Sequence, residues 1–282
     1  MESNINYKES VIDYFKVKAK EYDLVDNQVY WRLSDKLLWE FFSTNVLQKL
    51  PTDFKFLDAG GGTGRWSLKI LKEFLDSNGL IYDLSADMLE QAREKVTKCC
   101  FEERLDIFQG DIHDIHIAKT DSFDVAFNFH NVMGFVNDPV KVIKELTRVV
   151  KPNGYVISLV PNLYHNVFFN IFVNNFELVD EAASSSRGRF TKEMPSMNLF
   201  TPDSIKKIYL DCGLDVELVS GFPITIYPGM QETQLRGSSN HILNILENDE
   251  IFDKIYNLEK YMFKNSDTAA RGNQIFIVGI KR

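Results

Sequence analysis

The stretch FKFLDAGGGTGRWSLKILKEFL, residues 54–75, holds the pattern that decides the fold. A short apolar run, Phe54–Ala59, leads into the glycine-rich segment GGGTG at 60–64, and a helical pattern follows from Arg65 to Leu75. A strand, a glycine turn and a helix in this order are typical of an α/β protein. Glycine lets the backbone approach a ligand closely, and the first turn of the next helix offers free N–H groups.

The alternation continues along the chain. Further strand patterns occur at Leu80–Leu84, Leu105–Gln109, Phe123–Phe129 and Tyr155–Val160. Helical patterns lie between them at Asp87–Val96 and Pro139–Val149, and a turn signal occurs at Lys151–Gly154. Strands that alternate with helices predict a parallel sheet covered by helices on both faces. The pattern lapses after Pro161 and returns with a helix start at Thr201-Pro202, a strand at Leu214–Ser220 and a last strand at Gln274–Ile280.

This organisation predicts a helical cap over residues 1–50 and one α/β domain over 51–282. Amphipathic helical patterns in the cap run from Ser10 to Tyr22 and from about Ser34 to Leu47. Two insertions interrupt the domain at about 161–200 and 222–272, and long insertions of this kind form lids or binding regions. Aromatic residues are frequent in the cap and in the first insertion, where a flat or cationic acceptor would stack on them: Tyr14, Tyr22, Tyr30, Trp31, Tyr164, Phe168, Phe169 and Phe172.

Composition excludes several classes of protein. The 282 residues are 44% hydrophobic and 26% charged, which excludes a disordered chain, a fibre and a membrane span. The 32 basic and 40 acidic residues give a net charge of −8, which favours a small acceptor over nucleic acid or an anionic membrane. The first 23 residues contain no uninterrupted apolar run, so we expect no signal peptide and a cytoplasmic location.

Cysteine and histidine usage indicates neither a disulfide framework nor a metal site. Three cysteines are too few for such a framework, and the pair His113 and His116 has no second ligand pair at a metal-binding spacing. We therefore expect no metal. The oligomeric state stays open, since either insertion could form a dimer interface.

The glycine segment fits a dinucleotide site poorly and excludes a Walker phosphate loop. A dinucleotide fingerprint that began at Gly60 would place its third glycine at 65, which is arginine, and the G-K-[ST] end of a Walker phosphate loop is absent. Acidic residues nevertheless close the next two strands, Asp83 the second and Asp111 the third. Carboxylates at successive strand ends line the crevice where ligands bind in open α/β sheets.

Several segments of the sequence, taken in order, resemble those of a known protein family. LDAGGGTGRWS, IYDLSADMLEQAREK, FQGDIHDI, FDVAFNFHNVMGFVNDP and LTRVVKPNGYVIS occur in the order and spacing of a class I S-adenosylmethionine-dependent methyltransferase. The sequence resembles that family over about 54–159, and more weakly through FTPDSIKKIYLDCGLDVELVSGF and the N-terminal KAKEYD. The resemblance implies a Rossmann-like, mostly parallel sheet of seven strands whose last strand is antiparallel, and QIFIVGI could supply that strand.

The resemblance also implies cofactor contacts. Asp58, Gly60, Gly62 and Gly64 match the loop that holds the methionine part of S-adenosylmethionine, where the family often has glutamate in place of Asp58. Asp83 matches the acidic residue that binds the ribose, while the residues matching the adenine site are Leu84, Met88, Asp111 and Ile112. Asn128 matches the end of strand four, where the backbone usually meets the cofactor's amino group. The shorter side chain of Asp58 would reach the cofactor through water or shape the loop.

Two candidate catalytic residues follow. His130 lies just beyond strand four, where an imidazole with an ordinary pKa near ~6.5 suits a general base, although packing against the cap is an equal alternative. Tyr22 is placed by the resemblance near the cofactor's carboxylate or sulfonium, and Arg32 is a weaker candidate for the same carboxylate. His165 is more easily explained as structural.

The function predicted is methyl transfer from S-adenosylmethionine to a nitrogen or oxygen of a small molecule by in-line displacement. The donor is already activated, so such an enzyme mainly supplies alignment, a dry pocket and an acceptor without its proton. The alternatives are an RNA or protein methyltransferase and a non-catalytic module that binds S-adenosylmethionine. A dehydrogenase is disfavoured by the glycine spacing.

Overall fold

A computed structural model describes residues 2–227 and 241–282 of the chain. Its strands are β1 (Lys55–Ala59), β2 (Asn78–Asp83), β3 (Leu105–Gln109), β4 (Phe123–Asn128), β5 (Val150–Pro161), β6 (Arg187–Gly188), β7 (Met197–Asn198), β8 (Leu214–Phe222) and β9 (Gln274–Lys281). The helices are α1 (Glu2–Lys18), α2 (Val29–Asn45), α3 (Arg65–Glu73), α4 (Ala86–Cys99), α5 (Pro139–Val149), α6 (Leu163–Phe172), α7 (Phe176–Ser185), α8 (Pro202–Asp211), α9 (His241–Leu246) and α10 (Asp249–Met262). Short 3₁₀ turns lie at Tyr22–Asn27, Leu47–Lys49, Val132–Gly134 and Ser266–Ala270.

Seven strands form one sheet in the order β3-β2-β1-β4-β5-β9-β8. Neighbours from β3 to β5 pair in parallel, and β9 runs antiparallel to both β5 and β8. The predicted Rossmann-like sheet with an antiparallel last strand is therefore confirmed. Because the strand order reverses between β1 and β4, the loops after these strands leave in different directions and open a crevice at their carboxyl ends.

The two faces of the sheet carry separate apolar cores. On one face Phe56 and Phe127 pack with α2, α3 and α10, and on the other Leu57 and Ala126 pack with α5 and α8. Helix α2 contributes the fully buried Tyr30 and Phe42 to the first core, so this cap helix is part of the main packing. The division of the chain at residue 50 stays a prediction.

The segment before β5 differs from the predicted turn. Phe123 pairs with Val150 and Val125 with Tyr155, so residues 151–154 bulge from within β5 instead of preceding it. Asn153 has a φ of 64°, the left-handed conformation that asparagine tolerates well. Residues 151–154 therefore interrupt the regular pairing of β5, and the strand continues on both sides of this bulge.

The two insertions contain regular structure where the structure describes them. The first holds α6, α7 and the small β6–β7 ladder, and SSSRGR is the end of α7 followed by β6, where a loop was predicted. Thr201 and Ser204 then form the capping box of α8, which confirms the predicted helix start. The second insertion includes α9 and α10, while its residues 228–240 lie outside the described residues. Among the residues described, no helix has the length and apolar character needed to cross a membrane.

Candidate active site

The glycine segment forms a tight loop between β1 and α3. Gly60, Gly62 and Gly64 have φ values of 81°, 52° and 75°, which lie in the left-handed region where side chains are unfavourable. A Cβ atom on Gly60 would lie 2.6 Å from Cγ1 of Val132, in the turn after β4. The loop therefore requires glycine at position 60 for two reasons, backbone conformation and close contact.

We expect Gly60→Ala to lower the free energy of unfolding by about 3 kcal/mol, since it adds left-handed strain to a steric clash. Gly213→Ala is the matched control. Gly213 has a φ of 83°, but a Cβ atom added there would meet nothing within 4 Å, so the strain alone should cost about 1 kcal/mol. Urea denaturation of both variants measures the difference, and equal losses would show that the Val132 contact is unimportant.

Asp58 is the penultimate residue of β1 and lies beneath this loop. Its side chain is buried, and Oδ2 accepts a hydrogen bond of 2.6 Å from the hydroxyl of Ser67 on α3. Burial raises the pKa of Asp58 to about 7, although the bond from Ser67 opposes the shift. The carboxyl group thus joins β1 to α3 and also lies on the wall of the crevice.

Asp83 closes β2 and joins the loop to the next strand. Its Oδ2 accepts a bond of 2.9 Å from the backbone N–H of Gly62, and its Oδ1 accepts one of 2.8 Å from that of Ser85. Burial raises the pKa of Asp83, while these backbone bonds act against the rise. Asp58 and Asp83 form no ion pair within the described part of the chain.

Asp111 follows β3 and is bound from two sides. Lys8 of α1 pairs with its Oδ2, and Nδ1 of His113 lies 2.6 Å from its Oδ1. Burial acts to raise the pKa of Asp111, but the bonds from His113 and Lys8 hold it below the usual range. The N-terminal helix therefore contacts the third strand end directly.

These strand ends surround one cleft with an open volume of about 1080 Å³. Most of the residues predicted to bind the cofactor line it, namely Asp58, Gly60, Gly62, Asp83, Leu84, Met88, Asp111 and Ile112. Gly64 and Asn128 do not line it. Gly64 is the N-cap of α3, and Asn128 is fully buried with no hydrogen-bond partner for its side-chain amide among the described residues.

A second space, here named the side cavity, adjoins the cleft and has an open volume of about 780 Å³. Five residues line both spaces: Phe15, Tyr22, Arg65, His130 and Phe135. The remaining wall of the side cavity consists of Tyr14, Lys18, Val25, Trp31, Asp35, Asn131, Met194 and Gln274. Both predicted catalytic residues, His130 and Tyr22, therefore lie between the two spaces. The aromatic residues of α6 are absent from this wall.

His130 has a φ of 54°, and its ring stacks on Trp66 with 5.6 Å between the ring centres. Its Nε2 lies 3.5 Å from Oδ1 of Asp35 on α2. Burial lowers the pKa of His130 to about 4, and the negative charge of Asp35 acts against this shift. The imidazole is therefore neutral near pH 7 and has a carboxylate beside it.

Two charged residues of this region, Arg65 and Asp35, were missed by the sequence reasoning. Arg65 bonds Oδ2 of Asp35 at 2.6 Å and also pairs with Asp26, whereas the predicted candidate Arg32 is exposed and lines neither space. Arg65 directly follows the glycine segment, a position that could have drawn attention to it. Tyr22 lies near this group, and burial raises its pKa to about 12, so its hydroxyl stays protonated.

Known proteins share parts of this sequence and geometry. A family described as a methyltransferase domain matches residues 56–154. An uncharacterized protein of Methanocaldococcus jannaschii is 29% identical over 188 residues, which are 66% of this chain and 66% of that protein. The tRNA 5-carboxymethoxyuridine methyltransferase of Escherichia coli K12 is 23% identical over 158 residues, 56% of this chain and 59% of the relative.

A ubiquinone/menaquinone biosynthesis C-methyltransferase of Geotalea daltonii is 28% identical over 155 residues, 54% of this chain and 63% of the relative. The matched part thus spans no more than 66% of the length of these three relatives.

Solved structures share the fold. A methyltransferase in complex with the Trm112 activator of Haloferax volcanii has a TM-score of 0.57 at 17% identity, covering 95% of this chain and 96% of that one. The geranyl diphosphate C-methyltransferase of Streptomyces coelicolor has a TM-score of 0.57 at 14% identity, covering 88% and 79%.

The sheet order, the glycine loop and the family match define residues 56–154 as a class I methyltransferase domain. The chain thus contains a methyltransferase domain with the sheet order of the class I fold.

Proposed function

We propose that this protein transfers a methyl group from S-adenosylmethionine to a nitrogen or oxygen atom of a small molecule held in the side cavity. The cofactor supplies an electrophilic methyl group on a sulfonium. The observation that carries the proposal is the side cavity itself, which meets the cleft at the neutral, carboxylate-backed His130.

The residues of the cleft fit the cofactor chemically. S-adenosylmethionine carries an ammonium, a sulfonium and a ribose diol, and Asp58 and Asp83 offer carboxyl groups that form no ion pair with described residues. We assign Asp58, Gly60 and Gly62 to the methionine part, with Gly64 positioning the loop, and Asp83 to the ribose. Leu84, Met88, Asp111 and Ile112 would surround the adenine, and the Asn128 backbone would lie near the cofactor's amino group.

The side cavity favours an acceptor that carries an N–H or O–H group. Two buried acceptor atoms on its wall have no hydrogen-bond partner within the described chain, Oδ1 of Asp35 and Oε1 of Gln274, and Nε2 of His130 lies 3.5 Å from the first of them. A buried acceptor atom without a donor is unfavourable. A bound amine or hydroxyl would satisfy one or more of them, whereas a carbon nucleophile would leave them unpaired.

We assign His130 the role of general base, with Asp35 as its positioning residue. A neutral imidazole can accept the proton of the acceptor, and the carboxylate of Asp35 would stabilise the imidazolium that forms. Tyr22, protonated and placed between the two spaces, would donate a hydrogen bond or contribute its ring to the methyl-transfer region.

The test of this function is an acceptor screen with a donor labelled in its methyl group. Pools of small amines, phenols and carboxylic acids are incubated with the full chain, and transfer of label to a member of the pools is the expected result. Binding of S-adenosylhomocysteine without transfer to any pool would instead favour the non-catalytic alternative.

Asp58 makes cofactor binding dependent on pH. Burial raises the pKa of Asp58 from 3.8 to about 7. The protonated carboxyl group therefore stabilises the unligated folded state at low pH, and this stabilisation is lost as the pH rises from 3.8 through about 7. A bound ammonium would lower this pKa, so binding would release a proton and the affinity would increase between about pH 6 and about pH 7.

We expect calorimetry near pH ~6.5, in buffers of different ionisation enthalpy, to detect proton release on binding by the wild type and none by Asp58→Asn. Asp53→Asn, at an exposed position before β1, is the control and should release protons like the wild type. Equal release by Asp58→Asn would remove Asp58 from the site.

Methylation of tRNA is the second candidate, favoured by the Escherichia coli relative, whose name states that activity. A methyltransferase of similar fold forms a complex with the Trm112 activator, which suggests an activator protein as a partner for this chain. The net charge of −8 argues against RNA. Incubating bulk tRNA with labelled donor, with and without such an activator, separates these cases. A cytoplasmic location is also part of the proposal.

A further inference from the structure

Lys18 lies in the last turn of α1 and lines the side cavity. Its Nζ is 4.0 Å from the centre of the Tyr14 ring and donates a hydrogen bond to the Tyr14 hydroxyl. The side chain is half-buried, and burial lowers the pKa of its ammonium group.

Lys18 pairs with no carboxylate in the part of the chain that the structure describes. Arg65, the other lysine or arginine among the described residues that line the cavity, is neutralised by Asp35 and Asp26. Lys8, which lines the cleft, pairs with Asp111, and Lys95 of α4 pairs with Asp23. A cation withdrawn from water without an opposite charge is unfavourable, so an anion from outside the chain would gain a strong, charge-assisted contact here.

The wall beside Lys18 is aromatic. Phe15 and Phe135 meet edge to face with 5.3 Å between ring centres, and Tyr14 lies 6.2 Å from Phe135. Trp31 lines the same cavity. Such a wall suits a flat ring, and it borders the space beside an ammonium group that a carboxylate or phosphate could reach.

We infer that the methyl acceptor is a small aromatic molecule bearing an anionic oxygen group, carboxylate or phosphate, that pairs with Lys18. The ring packs among Phe15, Phe135 and Trp31, and the nucleophilic amine or hydroxyl faces His130, Asp35 and Gln274. This inference rests on the proposed function for the identity of the cavity, but its test uses binding and does not need turnover.

The test is calorimetric titration of the full chain saturated with S-adenosylhomocysteine. Three probes share one ring and one amine: 4-aminobenzoate, 4-aminophenyl phosphate and the uncharged 4-aminobenzamide. We expect at least one anionic probe to bind about tenfold more tightly than the amide. Whichever anion binds more tightly distinguishes a carboxylate acceptor from a phosphorylated one.

Two variants separate Lys18 from its surroundings. Lys18→Gln should weaken binding of the anionic probe about tenfold and leave the amide unchanged. Lys16→Gln is the matched control, because Lys16 lies in the same last turn of α1, is exposed and does not line the cavity. It should bind every probe like the wild type, and both variants should retain S-adenosylhomocysteine.

Three results would overturn the inference: no binding of either anion, equal binding of the amide, or unchanged anion binding by Lys18→Gln. The proposed function fails differently. If the anionic probe binds through Lys18 and yet no amine or hydroxyl compound with that group accepts a labelled methyl, the anion site stands and the methyltransferase activity is contradicted.

Discussion

S-adenosylhomocysteine is expected to bind Asp83→Ala about a hundredfold more weakly than the wild type. The reason is the loss of hydrogen bonds to a carboxylate that is withdrawn from water. The variant would lose the proposed bonds to the ribose hydroxyls and also the bond from the backbone of Gly62, which holds the glycine loop against β2. Both losses act on the same ligand. Isothermal titration of the folded variant measures the effect.

The controls divide the two contributions. Asp83→Asn keeps one oxygen that can accept from the backbone and should lose about tenfold in affinity. Asp106→Ala removes an exposed acidic side chain from the neighbouring strand β3 and should bind normally. A thermal melt confirms that each variant is folded. Unchanged affinity in folded Asp83→Ala would remove this residue from the cofactor site.

The turnover number of His130→Ala is expected to fall about a hundredfold or more, the usual contribution of a positioned general base. Binding of S-adenosylhomocysteine should change little, because His130 is not among the residues assigned to the cofactor and its Nε2 lies 3.5 Å from Oδ1 of Asp35. Steady-state rates with the labelled donor and the acceptor from the screen measure this effect. Asp35→Asn should lower the rate as well, since it removes the charge that stabilises the imidazolium.

A role in packing alone must be distinguished from a role as base. Added imidazole should restore part of the activity of His130→Ala if the missing group is a base, and it should do nothing for a packing defect. His116→Ala is the control, because His116 is exposed and lines neither space. A wild-type rate in His130→Ala would assign the residue to packing against Trp66.

The fold could be predicted to a large extent because its signals are local. The apolar run ending at Ala59, the glycine turn and the helix start at Arg65 are read directly from adjacent residues, and Thr201-Pro202 begins α8 as its cap pattern predicts. The antiparallel direction of β9 came from family resemblance, since an apolar strand pattern carries no information on direction.

The side cavity could not be predicted, since its wall is assembled from distant parts of the chain. Lys18 is on α1, Asp35 on α2, Arg65 on α3 and Gln274 on β9. Each is an ordinary residue in its own segment, and their meeting depends on how α1 and α2 pack over the sheet. The pairing of Asp35 with both Arg65 and His130 is a product of that packing.

The cofactor side was more accessible to sequence reasoning for a related reason. Asp58, Asp83 and Asp111 lie at or just beyond the carboxyl ends of three parallel strands, and such strands bring these ends to one edge of the sheet. Lys8 was missed there because it reaches Asp111 from α1, a helix far away in the sequence. Contacts of this kind follow from tertiary packing and leave no periodic trace.

The assignment of the cleft to S-adenosylmethionine can be tested by calorimetric titration of the wild-type chain with S-adenosylhomocysteine, and with NADH as the comparison ligand. We predict saturable binding of S-adenosylhomocysteine and no detectable binding of NADH, because the glycine spacing and the carboxylates of the cleft suit the first ligand. A folded chain that fails to bind S-adenosylhomocysteine, or that binds NADH in its place, would contradict this assignment.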